Sequence, residues 1–78
     1  NYYPMPKTSQ LDAEQVIKVL KRLGFRVARQ RGSHLRLVHP DGRKVTVARH
    51  DRPIFIGTLQ AILNQAKITS AELLRHLK

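Results

Sequence analysis

The chain has no cysteine and no tryptophan, and only five of its 78 residues are acidic. Without cysteine there is no disulfide framework, no thiolate nucleophile and no cysteine-ligated zinc site, and a reducing compartment suits the chain. The five carboxylates, Asp12, Glu14, Asp41, Asp51 and Glu72, fall where caps, turns and helix faces are expected, so the paired acids of a two-metal nuclease are missing. Aromatic rings are scarce too: after Tyr3 only Phe25 and Phe55 remain, too few for the base-stacking sheet of an RNA-recognition module. No apolar run approaches the roughly 20 residues of a membrane span, and the N-terminus lacks the layout of a secretory signal. The expectation is a soluble cytoplasmic protein with no membrane partner.

Positive charge is abundant instead. Lys and Arg number 15, the net charge is +10, and most of the excess lies between Lys18 and Arg52, where only Asp41 and Asp51 oppose it. Such a field favours polyanions, and nucleic acid is the default partner because each neutralised phosphate releases counterions. A solvated basic surface without a ligand is the plainer alternative. A chain this short holds one domain and buries only about 60–65% of the surface its unfolded form exposes. Residues 1–10 read as an N-terminal tail; Met5 is the only methionine, so residues 1–4 read as an appended remnant. Residues 11–78 form the single domain.

Asp12 suits a helix N-cap, with Gln15 three residues on and Leu11 and Val16 placed as a hydrophobic staple. Apolar residues then recur at Ala13, Val16, Ile17, Leu20 and Leu23, and Gly24 ends the pattern, which predicts a helix over residues 13–23. From Phe25 the period becomes two. Phe25, Val27 and Arg29 alternate with Arg26, Ala28 and Gln30 up to a Gly32-Ser33 turn. A second strand follows over His34 to Val38, then a Pro40-Asp41-Gly42-Arg43 turn and a third strand over Lys44 to Ala48. Helical spacing returns at Leu59, Ile62, Leu63 and Ala66, and Thr69 with Glu72 forms a capping-box pair ahead of Leu73, Leu74 and Leu77. The expected class is α+β: a three-stranded antiparallel sheet with helices on one face, in the order α-β-β-β-α-α.

Strand parity places Phe25, Val27, Leu35, Leu37, Val45 and Val47 toward the helices. Arg26, Gln30, His34, Arg36, Lys44 and Thr46 then form an open, basic face. An open polar face is common in antiparallel sheets and alone implies no function.

Cleaving RNA without a metal needs one group to take the 2′-hydroxyl proton, one to protonate the leaving 5′-oxygen, and positive charge at the phosphate. Histidine fills either proton role near neutral pH. His34 follows the Gly32-Ser33 turn, where glycine lets a nucleic-acid backbone come close, and Arg29, Arg31 and Arg36 stand near it in sequence. An ordinary exposed strand histidine beside a turn-forming serine is the alternative. The other histidines are weaker candidates: His39 adjoins Pro40 in the hairpin, His76 sits among leucines, and His50 follows the third strand. Four scattered histidines form no zinc site, so neither a metal nor another cofactor is expected. Ser33 has no evident triad partner, and a meander between helices argues against a helix-turn-helix reader. A double-stranded-RNA-binding module shares the α-β-β-β-α order and is the rival reading.

The run Arg29-Gln30-Arg31-Gly32-Ser33-His34, taken with Pro40-Asp41-Gly42-Arg43, Val45-Thr46-Val47, His50 and Gly57-Thr58-Leu59 through Ile62-Leu63, resembles the HicA family of toxin-antitoxin mRNA interferases. The likeness covers nearly all of residues 11–77. It implies a double-stranded-RNA-binding-domain-like fold, ribosome-independent and metal-independent endoribonuclease activity on mRNA, and a HicB-type antitoxin that covers the active site. The family's catalytic histidine maps onto His34, and Arg29, Arg31, Gly32, Ser33 and Arg36 are the expected RNA contacts. The second proton carrier stays open among His50, Ser33, water and the leaving group. Two departures stand out: Ala48 replaces a proline frequent after the third strand, and Gln60 replaces a frequent basic residue.

Overall fold

Residues 8–77 are described in a computed structural model of the chain; residues 1–7, which include the expected remnant, and Lys78 lie outside them. Asp12 opens α1 (Ala13–Arg22): its carboxylate accepts from the Gln15 backbone N–H at 2.9 Å, and the Gln15 side-chain oxygen accepts from the Asp12 N–H at 3.0 Å. That reciprocal cap satisfies two of the orphan donors of the first turn. Three strands follow, β1 (Arg26–Arg31), β2 (His34–Val38) and β3 (Lys44–Ala48), antiparallel in the order β1-β2-β3. Then come α2 (Ile56–Ala66) and α3 (Ser70–Arg75), the latter opened by a capping box between Thr69 and Glu72. The architecture is the expected α+β one, with a double-stranded-RNA-binding-domain-like arrangement of helices behind an antiparallel sheet.

Leu35 and Leu37 of β2 and Val45 and Val47 of β3 point to one side and are buried. They meet Val16, Ile17 and Leu20 of α1, Leu59, Ile62 and Leu63 of α2, and Leu73 in a single cluster. Side chains on the opposite side of β2 and β3, His34, Arg36, Lys44 and Thr46, are exposed. Burial of the apolar face, at roughly 25 cal/mol per Å², is what holds the sheet to the helices. Among the described residues no helix is long and apolar enough to cross a membrane.

β1 departs from simple alternation. Val27 pairs with Leu37, but the next pair is Arg29 with Arg36, then Gln30 with Leu35 and Arg31 with His34, so Ala28 is an extra residue in a bulge. A bulge of one residue reverses strand parity. Arg29 and Arg31 therefore join the open face, and Gln30, expected there, instead shares the helix-side face with Leu35. Val27, expected in the core, is 42% exposed. It lies on an edge strand, whereas the helices pack chiefly against β3.

Polar contacts fasten the ends of these elements. Arg49, just past β3, makes a two-pronged ion pair with Glu14 of α1 at 2.7 and 3.1 Å, and its backbone N–H donates to Ser33 O at 2.7 Å. The Gln65 side chain of α2 accepts from the Thr46 N–H at 3.1 Å, closing part of the outer edge of β3. Ser9, within the segment read as a tail, is buried and bonds Ile54 O through both its N–H and its hydroxyl.

His39 is a structural bolt. Its Nε2 lies 3.1 Å from Leu23 O at the end of α1, its Nδ1 accepts from the Asp41 N–H, and its ring meets Phe25 edge-on at 5.0 Å. Arg43 stacks over the other ring, 5.0 Å from the Phe25 centroid, and reaches Ala66 O at 2.6 Å. Gly24 makes this approach possible: its φ is +104°, and a Cβ there would stand 2.8 Å from His39 Nε2.

Gly24→Ala is therefore expected to lower stability by about 1–3 kcal/mol, from left-handed strain plus displacement of the imidazole, as read by urea unfolding. The Glu14–Arg49 pair gives a pH signature. The Arg49 hydrogen bond holds the Glu14 carboxyl below its ordinary value of 4.5, so its contribution is complete above that value and fades as pH falls through the lowered one. The stability advantage of the native chain over Glu14→Gln is expected at pH 7 and expected to shrink progressively as pH is lowered below 4.5 in the same assay.

Candidate functional site

The turn joining β1 to β2 has two residues, Gly32 and Ser33, between the paired Arg31 and His34. Gly32 has φ +56°, the sign that a type II′ turn needs at its first central position. Nothing lies within 4 Å of where a Gly32 Cβ would point. The turn tip is thus open to solvent, and His34 begins β2 immediately behind it.

Two cross-strand rows build the face beyond. One runs Arg29, Arg36, Thr46 and the other Arg31, His34, Ala48. Arg29, Arg31, His34, Arg36 and Thr46 line a shallow concavity of about 270 Å³. The structure thus brings together four of the six expected site residues. Gly32 and Ser33 form the turn at its end, Ser33 held by the bond from Arg49. Thr46 was assigned to this face from strand parity, though not to the site.

The electrostatics of the concavity are one-sided. Like charges directly opposite on neighbouring strands are unfavourable, and Arg29 faces Arg36 with no carboxylate in the lining. Among the described residues the ion-paired arginines are elsewhere: Arg43 holds Asp41, and Arg49 holds Glu14. Arg43 holds the Asp41 carboxyl below its usual range through side-chain hydrogen bonds, while Glu14 raises Arg49 above its ordinary value. Asp12 and Glu72 cap helices. Four of the five acids serve structural tasks and none lines the concavity, so the three arginines around His34 are left to an external anion.

The other histidines are placed differently. His39 is occupied as described, and His76 Nδ1 lies 2.9 Å from Glu72 O at the end of α3. His50 is exposed and lines two cavities on the far side of Ala48, neither of which contains His34. One of these, bounded by Phe55 and Thr58, had no signal in the sequence, because it forms only where the 50–55 loop meets the starts of both long helices.

A basic, open strand face on this α+β scaffold defines a double-stranded-RNA-binding-domain-like protein whose exposed sheet surface carries an imidazole among guanidiniums. The chain also matches the family model described as the HicA toxin of bacterial toxin-antitoxin systems over residues 13–68, and it belongs to that family. No curated protein matches the chain.

If the concavity takes phosphates, binding of a single-stranded polyanion falls linearly with log salt. Arg29→Ala, Arg31→Ala and Arg36→Ala are each expected to reduce that slope by about 0.7, whereas Lys67→Ala, at the C-cap of α2 and outside the concavity, leaves it unchanged. Titration of poly(U) across a salt series measures it, and equal slopes for all the variants overturn the assignment.

Proposed function

We propose that this toxin is an endoribonuclease that cuts mRNA without the ribosome and without a metal ion, with His34 as its catalytic residue. The observation that carries the reading is the concavity itself: one exposed imidazole, three arginines free of ion pairs, and no acid. An RNA strand laid along it sets a phosphate between the guanidiniums and His34. In the reaction the 2′-oxygen loses its proton and attacks the adjacent phosphorus. The bond to the 5′-oxygen breaks and that oxygen takes up a proton, leaving a 2′,3′-cyclic phosphate and a 5′-hydroxyl end.

His34 serves as general base or general acid in this scheme, a role worth roughly 10²–10⁴-fold in rate. Arg29, Arg31 and Arg36 stabilise the charge that grows on the non-bridging oxygens. The open Gly32-Ser33 tip lets the RNA backbone approach, and Ser33, in the turn beside His34, or solvent supplies the second proton, since His50 lines other cavities. A toxin of such a system has an antitoxin partner. We read that partner as an acidic HicB-type protein that excludes RNA by covering the His34 face, drawn to it by complementary charge. The cytoplasm, where mRNA is accessible, is the compartment this activity requires.

The test is incubation of a long RNA with the protein and with His34→Gln, with and without EDTA, followed by sizing and end-group analysis. Cleavage is expected to ignore EDTA, to fall at least about 10²-fold in the variant while RNA binding persists, and to leave 5′-hydroxyl ends. 5′-phosphate ends or EDTA sensitivity overturn the mechanism. Binding without cleavage by either protein assigns the face to RNA binding alone.

A further inference from the structure

A second concavity, unused by the chemistry above, adjoins the His34 face. Its volume is about 220 Å³, and its lining includes Ala48, His50, Arg52, Phe55, Thr58 and Ile62. Ala48 is the cross-strand partner of His34, so one residue of the cavity lining stands about one strand spacing, roughly 4.8 Å, from the proposed catalytic residue. We propose that this cavity receives the base of the nucleotide next to the phosphate being cut, and so sets which sequences the enzyme cleaves. The proposal rests on the ribonuclease reading of the His34 face.

Three features favour a nucleobase. The first is size: a cavity of about 150 Å³ accepts benzene, so one of about 220 Å³ admits a heteroaromatic ring. The second is the mixed character of the walls. Phe55, 43% exposed, offers a ring to stack on and Ile62 an apolar floor, while the Thr58 hydroxyl and the His50 imidazole offer hydrogen bonds to a base edge. A purely apolar protein side chain would leave those polar groups unused. The third is position. Arg52 lines the cavity, and Ala48, also in its lining, stands in one cross-strand row with Arg31 and His34, so cations are available to the phosphates that flank a base held there.

Recognition of this kind also suits a domain whose sheet face has no aromatic residue. The arginines grip any backbone and read no sequence. A base drawn off the sheet into a separate cavity supplies the discrimination they lack.

The experiment uses octanucleotides with 2′-O-methyl groups, which lack the attacking hydroxyl and report binding whether or not the protein cleaves. Four homopolymers are compared with an abasic octamer of equal charge. The native chain is expected to bind at least one homopolymer about tenfold or more tighter than the abasic chain, the scale of stacking one base. Phe55→Ala, which removes the stacking ring, is expected to reduce that ratio toward one. Thr58→Val is expected to level the differences among the four bases while retaining the advantage over the abasic chain. Mapping cuts on a long RNA then places the preferred base beside the cleaved bond. Equal affinity of the native chain for abasic and base-bearing octamers overturns the proposal, as does an unaltered ratio in Phe55→Ala. Loss of antitoxin binding in Phe55→Ala with base preference intact assigns the cavity to the protein partner and overturns it as well. A protein that shows base preference but never cleaves sinks the ribonuclease reading and leaves the cavity as a base site; cleavage without base preference does the reverse.

Discussion

The single extra residue at Ala28 determines what the exposed face of the sheet is made of. Strand pairing is strict in parity, and β2 and β3 are locked by four buried aliphatic side chains that cannot be turned outward without losing the core. β1 has no such lock, because its residues are exposed throughout. It can carry a bulge cheaply, and the bulge rotates Arg29 and Arg31 into line with Arg36 and His34 while sending Gln30 to the side of Glu14 and Arg49. A regular strand would have left the imidazole with far less cationic company.

This arrangement runs against the stability of so small a domain. Guanidiniums opposed across adjacent strands repel one another, and only five carboxylates exist to offset fifteen cations. The chain concentrates those acids at joints between elements. Asp12 and Glu72 start helices, Asp41 and Arg43 stiffen the β2–β3 turn, and Glu14 clamps α1 to the strand end that also secures Ser33. Neutralisation is thus spent on the frame, and the face keeps its field for a ligand.

Much of this was legible from the residues in order. The caps at Asp12 and Thr69, the stop at Gly24, the hairpin turns and the aliphatic pairs of β2 and β3 each have a local signature, and each folds as that signature dictates. The bulge has none: Arg26 through Arg31 contains a single large apolar side chain, so nothing in the pattern marks where parity changes. That is why Val27 read as core and Gln30 as part of the open face. His39 was equally opaque, since its value lies in a carbonyl sixteen residues earlier and in the absence of a Cβ at Gly24. The family resemblance singled out Arg29, Arg31, His34 and Arg36, which the fold gathers around one concavity, though it says nothing of the cavity that includes Ala48, which only the assembled loop creates.

The two edges of the sheet are defended by different means. Along β3, Gln65 of α2 occupies the Thr46 N–H, whereas β1 presents its outer backbone to solvent guarded by a bulge and by Arg26, Arg29 and Arg31. Charged residues on an edge strand keep identical strands from adding to it. The cations that recruit a polyanion are therefore also the barrier against self-assembly, and any anionic ligand that titrates them without physically covering the edge lowers that barrier.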